Sequence, residues 1–157
     1  MQWAYPYTVD PVVAEGVSSW ATSEATRRSM MANRGRDTRP ELAVRSAVHR
    51  LGLRYRVNAR PVRELRRTAD LVFRPARVAV FIDGCFWHSC PEHGTKPAAN
   101  AEFWRSKLDA TVERDRETRR ALEDAGWAVL RFWEHESPDD VALAIKSQVD
   151  ARRLAQC

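Results

Sequence analysis

The segment that most constrains the fold of this chain runs from Val78 to His93. It begins with five apolar residues, three of them β-branched, which is the pattern of a buried central strand. Two cysteines, two histidines, an aspartate and a Phe-Trp pair follow within a few residues. Packing at a strand end does not require metal-ligand residue types, and solvated loops rarely expose two large aromatic residues side by side. We therefore interpret the segment as a functional site at the end of a strand.

The flanking sequence predicts an α/β domain. The predicted strands are a short one near Tyr55 and Val57, a hairpin formed by residues 68–73 and 78–82, and a last strand over 127–133. The predicted helices cover about 24–33, 38–51, 101–125 and 137–152. This order predicts a single domain, residues 23–157, with a mixed sheet covered by helices. Residues 1–22 show no periodicity and are predicted to form an N-terminal arm.

Composition narrows the class of protein. The 157 residues suffice for one domain with its own hydrophobic core. Three cysteines, two of them beside histidines, favour a reduced, metal-binding use over a disulfide framework. Residues 1–22 contain no Lys or Arg and no continuous apolar run, so we expect no signal peptide, no membrane span and a cytoplasmic location. Six arginines and one glutamate between Arg54 and Arg67 indicate either contact with nucleic-acid phosphates or a solvated charged connection.

A zinc site is predicted on the segment after the central strand. Cys85, Cys90 and His93 offer three ligands within nine residues, and structural zinc takes four nitrogen or sulfur ligands. His135 lies just past the last predicted strand. If that strand runs parallel to the central one, both strand ends meet on one side of the sheet and His135 completes the set. The alternative is that the cysteines are small buried residues and the histidines lie at the surface.

Three further side chains predict acid-base chemistry on a phosphate. Asp70 stands at the start of an apolar strand, either as a turn residue or as a ligand for Mg²⁺ beside a scissile phosphate. His88 is the candidate general base, because a histidine can take a proton from water near neutral pH. Asp115 falls on an apolar stripe of the predicted long helix. There it either orients His88 through the other ring nitrogen or pairs with Arg119.

The helix predicted over 38–51 suggests a structural role for Glu41. Thr38-Arg39-Pro40-Glu41 matches a capping box with proline near the first turn. The predicted apolar face of this helix consists of Leu42, Val44, Ala47, Val48 and Leu51. From the residues alone we expect Glu41 to serve the helix N-terminus.

Several specific motifs occur in one order along residues 23–136. They are Ser29-Met30-Met31, Arg36-Asp37-Thr38-Arg39-Pro40-Glu41, Ala69-Asp70-Leu71-Val72, Gly84-Cys85-Phe86-Trp87-His88, Glu102-Phe103-Trp104, Val112-Glu113-Arg114-Asp115 and Gly126-Trp127 through Trp133-Glu134. With these motifs the chain resembles the very-short-patch repair endonucleases, bacterial enzymes that nick DNA at T:G mismatches. The fourth and sixth motifs are highly specific.

The resemblance implies a fold and a catalytic apparatus. The fold would be the restriction-endonuclease-like, PD-(D/E)xK-type mixed sheet flanked by helices, with a structural zinc site. Asp70 and the main-chain carbonyl of Ile82 would bind Mg²⁺, His88 would be the catalytic base, and Asp115 would support it. Glu41 matches an acidic residue of the family that orients metal-bound water, so the resemblance implies a catalytic role that the capping box does not.

The resemblance also implies side chains that insert into DNA. These are Met30 from one groove, and an aromatic wedge from the other made of Phe86, Trp87 and Trp104. The chain departs from the family at two positions. The family carries a cysteine where His135 stands, and its prototype carries a second active-site histidine where Asp83 stands. We expect Asp83 either to add a metal ligand or to shift the pH dependence of the reaction.

The sequence therefore predicts a Mg²⁺-dependent, zinc-stabilised endonuclease that nicks double-stranded DNA 5′ to the mispaired thymine of a T:G mismatch. We expect a monomer that works in very-short-patch mismatch repair, with mismatch-repair proteins among its partners. Two alternatives stay open. One is a restriction-like or homing endonuclease of broader specificity, and the other is a zinc-containing DNA-binding module without catalysis.

Overall fold

A computed structural model describes residues 36–94, 98 and 100–156. The predicted arm, the helix predicted over about 24–33 and Met30 lie outside the described residues, so the division of the chain at residue 22 stays a prediction. The described elements are α1 (Arg39–Arg50), β1 (Arg56–Ala59), β2 (Ala69–Phe73), β3 (Val78–Asp83), α2 (Ala101–Asp124), β4 (Ala128–Trp133) and α3 (Pro138–Leu154). Each of them confirms a predicted helix or strand to within about three residues at either end.

A mixed four-stranded sheet forms the centre of the fold, with the strands in the order β1-β2-β3-β4. The first three strands pair antiparallel, whereas β3 and β4 run parallel. The predicted hairpin and the predicted parallel pairing of the last strand with the central one are thus confirmed. Because the carboxyl ends of parallel strands meet at one edge, the residues that follow β3 and β4 are brought together.

Helices cover both faces of the sheet. On one face, α1 and α3 pack on strands β2 and β3 through Val44, Val48, Leu71, Phe73, Val78, Val80, Val141, Ile145 and Val149. On the other face, Leu122 of α2 packs against a smaller cluster formed by Ala69, Val72, Ala79 and Val129. Burial of these side chains is the main term that holds the sheet edge and its loops in place. No helix among the described residues combines the length and apolar composition that crossing a bilayer requires.

Helix α1 departs from its prediction at its first turn. Leu42, predicted in the apolar face, is 51% exposed, so that prediction is wrong. Thr38 occupies the N-cap position but its side chain does not bond the helix backbone. Its hydroxyl donates instead to Oε1 of Glu41 at 2.9 Å, so the half of the capping box that Thr38 would form is absent. Glu41 and Arg45 take buried positions of the helix, which turns Leu42 outward.

Candidate active site and metal cluster

The segment that follows β3 is folded by its own backbone into tight turns. The N–H of His88 donates to the carbonyl of Gly84 at 3.2 Å, and the N–H of Cys90 donates to the carbonyl of Cys85 at 2.9 Å. The carboxylate of Glu134, directly after β4, accepts a hydrogen bond from the N–H of Cys85 at 2.7 Å. The ends of both strands are therefore tied together, which fixes the side chains of the loop.

Four potential metal ligands meet at this edge of the sheet. Nδ1 of His135 lies 3.2 Å from Sγ of Cys85, 3.9 Å from Sγ of Cys90 and 3.2 Å from Nδ1 of His93. One ligand atom from each residue lies within 4.8 Å of all the others. A tetrahedral zinc ion separates such atoms by about 3.3–3.8 Å. Since one ring nitrogen cannot hydrogen-bond three neighbours at once, the geometry fits a shared cation.

The chemistry of the cluster also fits a cation. Burial, followed by the neighbouring Cys90, raises the pKa of Cys85 to about 12, so the thiolate form requires a positive charge nearby. Nε2 of His135 lies 3.6 Å from Oε2 of Glu92. A carboxylate on the far nitrogen is the usual way to orient a metal-binding imidazole. The predicted set of four residues is thus brought together by the fold.

His88 makes a separate contact beside this cluster. Its Nδ1 lies 2.5 Å from Oδ2 of Asp115 and 3.7 Å from Oδ1 of Asp83. The alternative partner of Asp115, Arg119, lies instead 3.8 Å from Glu123. The predicted contact between Asp115 and the imidazole is therefore present, while its catalytic use stays a prediction.

Electrostatics determine which nitrogen of His88 carries the proton. Burial acts to raise the pKa of Asp115, but the hydrogen bond and charge of His88, with further charge from Arg131, lower it below its ordinary value. Asp115 is consequently ionised at neutral pH and accepts a hydrogen bond from Nδ1–H. With that proton assigned to Nδ1, Nε2 is the ring nitrogen that can accept a further proton.

Asp83 forms a two-point ion pair with Arg131 of β4. Nε of Arg131 lies 2.6 Å from Oδ2 of Asp83, and Nη2 lies 2.7 Å from Oδ1. Because both carboxylate oxygens of Asp83 are engaged, Asp83 is disfavoured as a metal ligand. The other predicted effect of Asp83, an influence on the charge around His88, stays open. Sequence reasoning did not identify Arg131. The available signal was a charged residue in the middle of the otherwise apolar strand Ala128–Trp133.

Asp70 lies within β2, not in a turn before it, so the turn interpretation is wrong. Its Oδ2 accepts the N–H of Ile82 at 2.7 Å, just beyond the last paired residues of the hairpin, Leu71 and Val80. Burial raises the pKa of Asp70 to about 7; the Ile82 hydrogen bond opposes this rise, and the charges of Glu41 and Asp83 add to it. The charge of Arg45 also opposes the rise, so the carboxyl group lies among further acidic groups whose charge is partly balanced by arginine.

Glu41 approaches the same region from α1. It is 5% exposed, and its Oε2 lies 3.1 Å from Nη2 of Arg45. Its charge contributes to the raised pKa of Asp70, so the two carboxyl groups are electrostatically coupled. The catalytic role that the family resemblance implies for Glu41 stays a prediction.

The aromatic residues predicted as a DNA wedge form one cluster. The ring centroid of Phe86 lies 5.0 Å from that of Trp87 and 5.3 Å from that of Trp104, and the centroids of the two tryptophan rings lie 6.1 Å apart. Phe86 and Trp87 are half-buried, whereas Trp104 is 4% exposed. In this conformation Trp104 supports the other two rings from α2, and only Phe86 and Trp87 present surface to a partner.

Comparison with known proteins defines the class to which this site belongs. A family model described as DNA mismatch endonuclease Vsr matches residues 20–92. The type II nicking enzyme V.NaeI of Lentzea aerocolonigenes is 49% identical over 120 residues, which cover 75% of this chain and 72% of that protein. The type II nicking enzyme V.NmeDIP of Neisseria meningitidis is 38% identical over 117 residues, 73% of this chain and 77% of that protein.

A further relative carries the family name. The DNA mismatch endonuclease Vsr of Escherichia coli is 38% identical over 113 residues, which cover 71% of this chain and 70% of that protein. With such relatives and a strand-end site of this composition, the protein is a DNA endonuclease. The chain belongs to the Vsr family of DNA mismatch endonucleases.

Proposed function

We propose that this endonuclease requires Mg²⁺ and nicks one DNA strand 5′ to the mispaired thymine of a T:G mismatch, leaving 5′-phosphate and 3′-hydroxyl ends. The observation that carries the proposed chemistry is the 2.5 Å contact of His88 with Asp115. Asp83, which lies 3.7 Å from the same imidazole nitrogen, also acts on the pKa of the partly buried carboxyl group of Asp70 and so links the two groups. We further propose that the protein acts as a monomer.

The proposed reaction begins with proton transfer to His88. Nε2 of His88 takes a proton from a water molecule, whose oxygen attacks the scissile phosphorus. The bond from phosphorus to the 3′-oxygen breaks, and that oxygen leaves as the 3′-hydroxyl after taking a proton from a solvent water molecule, while His88 later returns its proton to solvent. Asp115 stabilises the imidazolium that forms, because its ionised carboxylate already accepts Nδ1–H. Asp115 therefore supports His88 without itself exchanging the proton.

Asp70 and the main-chain carbonyl of Ile82 are the residues that would hold Mg²⁺. Oδ2 of Asp70 accepts the N–H of Ile82 at 2.7 Å, which holds the carboxylate beside the strand end that carries the Ile82 carbonyl, and the nearby charges of Glu41 and Asp83 favour a cation. Oxygen ligands of this kind are those that Mg²⁺ prefers. When bound, the ion supplies Lewis-acid stabilisation of the charge that develops on the phosphate.

Cys85, Cys90, His93 and His135 are the residues that would hold a structural zinc ion. The spacing of their ligand atoms supports this assignment. The same loop carries His88 and the wedge residues Phe86 and Trp87, so zinc would keep them in place for DNA. We assign the cluster a structural role because none of the four residues contacts Asp70 or Asp115 among the hydrogen bonds and ion pairs of the described residues.

Mismatch selectivity is proposed to arise from Phe86 and Trp87, supported by Trp104, with Met30 inserting from the opposite groove. Unstacking a base step costs roughly a few kcal/mol, and apolar rings that replace the lost stacking recover part of it. The cost is lowest where a T:G wobble has already weakened pairing, so deformability can discriminate without direct hydrogen bonding to every base.

The test is nicking by purified protein with Mg²⁺ on labelled duplexes that carry T:G or T:A at one position. We expect preference for T:G and a rate lower by about 10²- to 10⁴-fold in His88→Ala. Asp70→Ala should also be inactive, whereas His49→Ala, which alters an exposed histidine of α1, serves as the matched control.

Equal nicking of T:A would remove the mismatch assignment and favour the broader nuclease. Undiminished nicking by His88→Ala or Asp70→Ala would remove the mechanism. Mismatch binding without turnover in any divalent metal would favour the non-catalytic DNA-binding module.

A further inference from the structure

The guanidinium group of Arg131 joins the two carboxylates that face His88. We propose that Arg131 is a positioning residue for the nicking reaction, which fixes Asp83 and Asp115 around the imidazole of His88. This inference rests on the proposed role of His88 as the base. Arg131 contacts neither metal nor substrate in this scheme and acts only through the two carboxylates.

The contacts form a continuous chain of hydrogen bonds and ion pairs. Nη2 of Arg131 lies 2.7 Å from Oδ1 of Asp83 and 3.2 Å from Oδ2 of Asp115. These are the same two oxygen atoms that lie 3.7 Å and 2.5 Å from Nδ1 of His88. A single guanidinium nitrogen thus holds both oxygen atoms next to the imidazole.

Three elements of the fold converge on this chain. Asp83 ends β3, Arg131 lies in β4 and Asp115 lies in α2. The parallel register places Arg131 beside Phe81, and the guanidinium lies 4.9 Å from the centre of the Phe81 ring. Contact with that ring limits the positions open to the guanidinium, whose planar shape suits a two-point contact with a carboxylate. The geometry therefore depends on an arginine and not on positive charge alone.

Stability alone explains Arg131 poorly. Its Nη1 is buried and has no hydrogen-bond partner among the described residues, and an unpartnered buried N–H costs about 1–3 kcal/mol. Buried ion pairs are commonly no more stabilising than apolar residues of similar size. An apolar residue would also suit the flanking strand sequence Ala128–Trp133. A function for the oriented guanidinium accounts for its retention at this position.

Without Arg131, two carboxylates would face the same imidazole nitrogen with no cation to offset their repulsion and hold them in place. Asp83 and Asp115 would repel each other, and His88 could turn between them. Lysine would retain the charge but cannot bond both oxygen atoms of Asp83 and one of Asp115 in a plane. Arg131→Lys therefore separates orientation from charge.

The experiment measures single-turnover nicking of T:G DNA by Arg131→Lys at saturating protein, with DNA affinity measured separately in Ca²⁺. We expect the rate to fall about 10- to 100-fold with unchanged DNA affinity. The matched control is Arg152→Lys, since Arg152 also uses two nitrogen atoms, to donate to the carbonyls of Ala76 and Gly126. That variant should lose thermal stability without losing rate.

A spectroscopic measurement gives an activity-independent result. The Nδ1 proton of His88, in a 2.5 Å contact, should give a low-field NMR resonance that Arg131→Lys shifts or broadens and Arg152→Lys leaves unchanged. An unchanged resonance in Arg131→Lys would overturn the proposal. So would weaker DNA binding with an unchanged rate at saturation, because it would make Arg131 a DNA contact.

Failure of this inference is distinguishable from failure of the proposed function. In a His88→Ala background, Arg131→Lys should cause no further loss of rate, and an additional 10- to 100-fold loss would contradict action through His88. Full activity of His88→Ala would overturn the proposed base itself. An inactive His88→Ala together with a fully active Arg131→Lys would overturn only the role of Arg131.

Discussion

Nδ1 of His88 lies 2.5 Å from Oδ2 of Asp115, although 27 positions separate the two residues in the chain. The contact joins the loop after β3 to the middle of α2 and directs Nε2 of the imidazole away from the carboxylate. A histidine held in this way has one tautomer and one orientation, which are the two properties that a general base needs.

The first prediction concerns Asp115. Asp115→Asn removes the charge that stabilises the imidazolium and keeps only one oxygen atom that can accept from Nδ1–H, so we expect the nicking rate to fall about 10- to 100-fold with DNA affinity unchanged. The matched control is Asp109→Asn, an exposed position on the same helix. A rate equal to that of the parent protein would show that His88 needs no carboxylate partner.

The second prediction concerns stability as a function of pH. The pKa of Asp70 is raised from 3.8 to about 7, mainly by burial, so the folded state retains a proton that the unfolded chain has released. This contribution to stability is complete below about pH 4 and is lost as the pH rises through about 7. Without Mg²⁺, Asp70→Asn should exceed the parent protein in stability by more at pH 8 than at pH 6, with a difference on the order of 1 kcal/mol.

Urea unfolding at the two pH values measures this difference, again with Asp109→Asn as the control. An equal margin at pH 6 and pH 8 would contradict a raised pKa. In the same experiment, added Mg²⁺ should stabilise the parent protein at pH 8 and leave Asp70→Asn unaffected, since only the ionised carboxylate binds the ion.

The third prediction concerns the metal cluster. The purified protein should contain one zinc ion per chain, and Cys85→Ser and His135→Ala should each lose most of it and unfold at a lower temperature. Metal content by atomic absorption and thermal unfolding measure both effects. His49→Ala, outside the cluster, should retain its zinc. Full zinc content in both cluster variants would remove the assignment.

The fourth prediction separates the aromatic residues by burial. Trp87→Ala removes a half-exposed ring and should lower T:G nicking by roughly 10- to 100-fold, since stacking of a base on an aromatic ring contributes about 1–3 kcal/mol. Trp104 is 4% exposed, so Trp104→Ala should instead destabilise the fold by about 3–5 kcal/mol. Phe103 is 46% exposed, and the centre of its ring lies 5.7 Å from that of Trp104. Phe103→Ala is therefore the comparison for both variants.

Rates on T:G and T:A duplexes, together with urea unfolding, test these expectations. Equal loss of stability in Trp87→Ala and Trp104→Ala would indicate that both rings are structural. A Trp87→Ala protein that discriminates T:G from T:A as well as the parent would remove the wedge from the mechanism.

Local patterns in the sequence were sufficient for most of the fold. The β-branched run that begins at Val78, the hairpin of residues 68–73 and 78–82 and the helix predicted over 101–125 follow from short-range patterns, and the structure confirms each. The approach of His135 to Cys85 followed from one topological assumption, that β4 is parallel to β3. Asp115 was detectable because a carboxylate on an apolar helical stripe requires a partner.

Other features depended on tertiary contacts that no local pattern encodes. Leu42 is exposed because the buried pair Glu41 and Arg45 takes the inward positions of α1. Trp104 is buried because Phe86 and Trp87 fold over it from another element. Hydrophobic periodicity predicts that a face is buried, but the identity of the residues opposite it is set by packing across the whole domain.

The amino-acid sequence by itself determined the strands, the long helix and the residue types available for metal and proton chemistry, since these follow from short-range periodicity and residue chemistry. Only the tertiary structure decided that Arg131 lies between Asp83 and Asp115. That arrangement depends on the register of β4 against β3 and on the placement of α2 over the sheet, and a shift of one residue in the register would turn Arg131 to the opposite face.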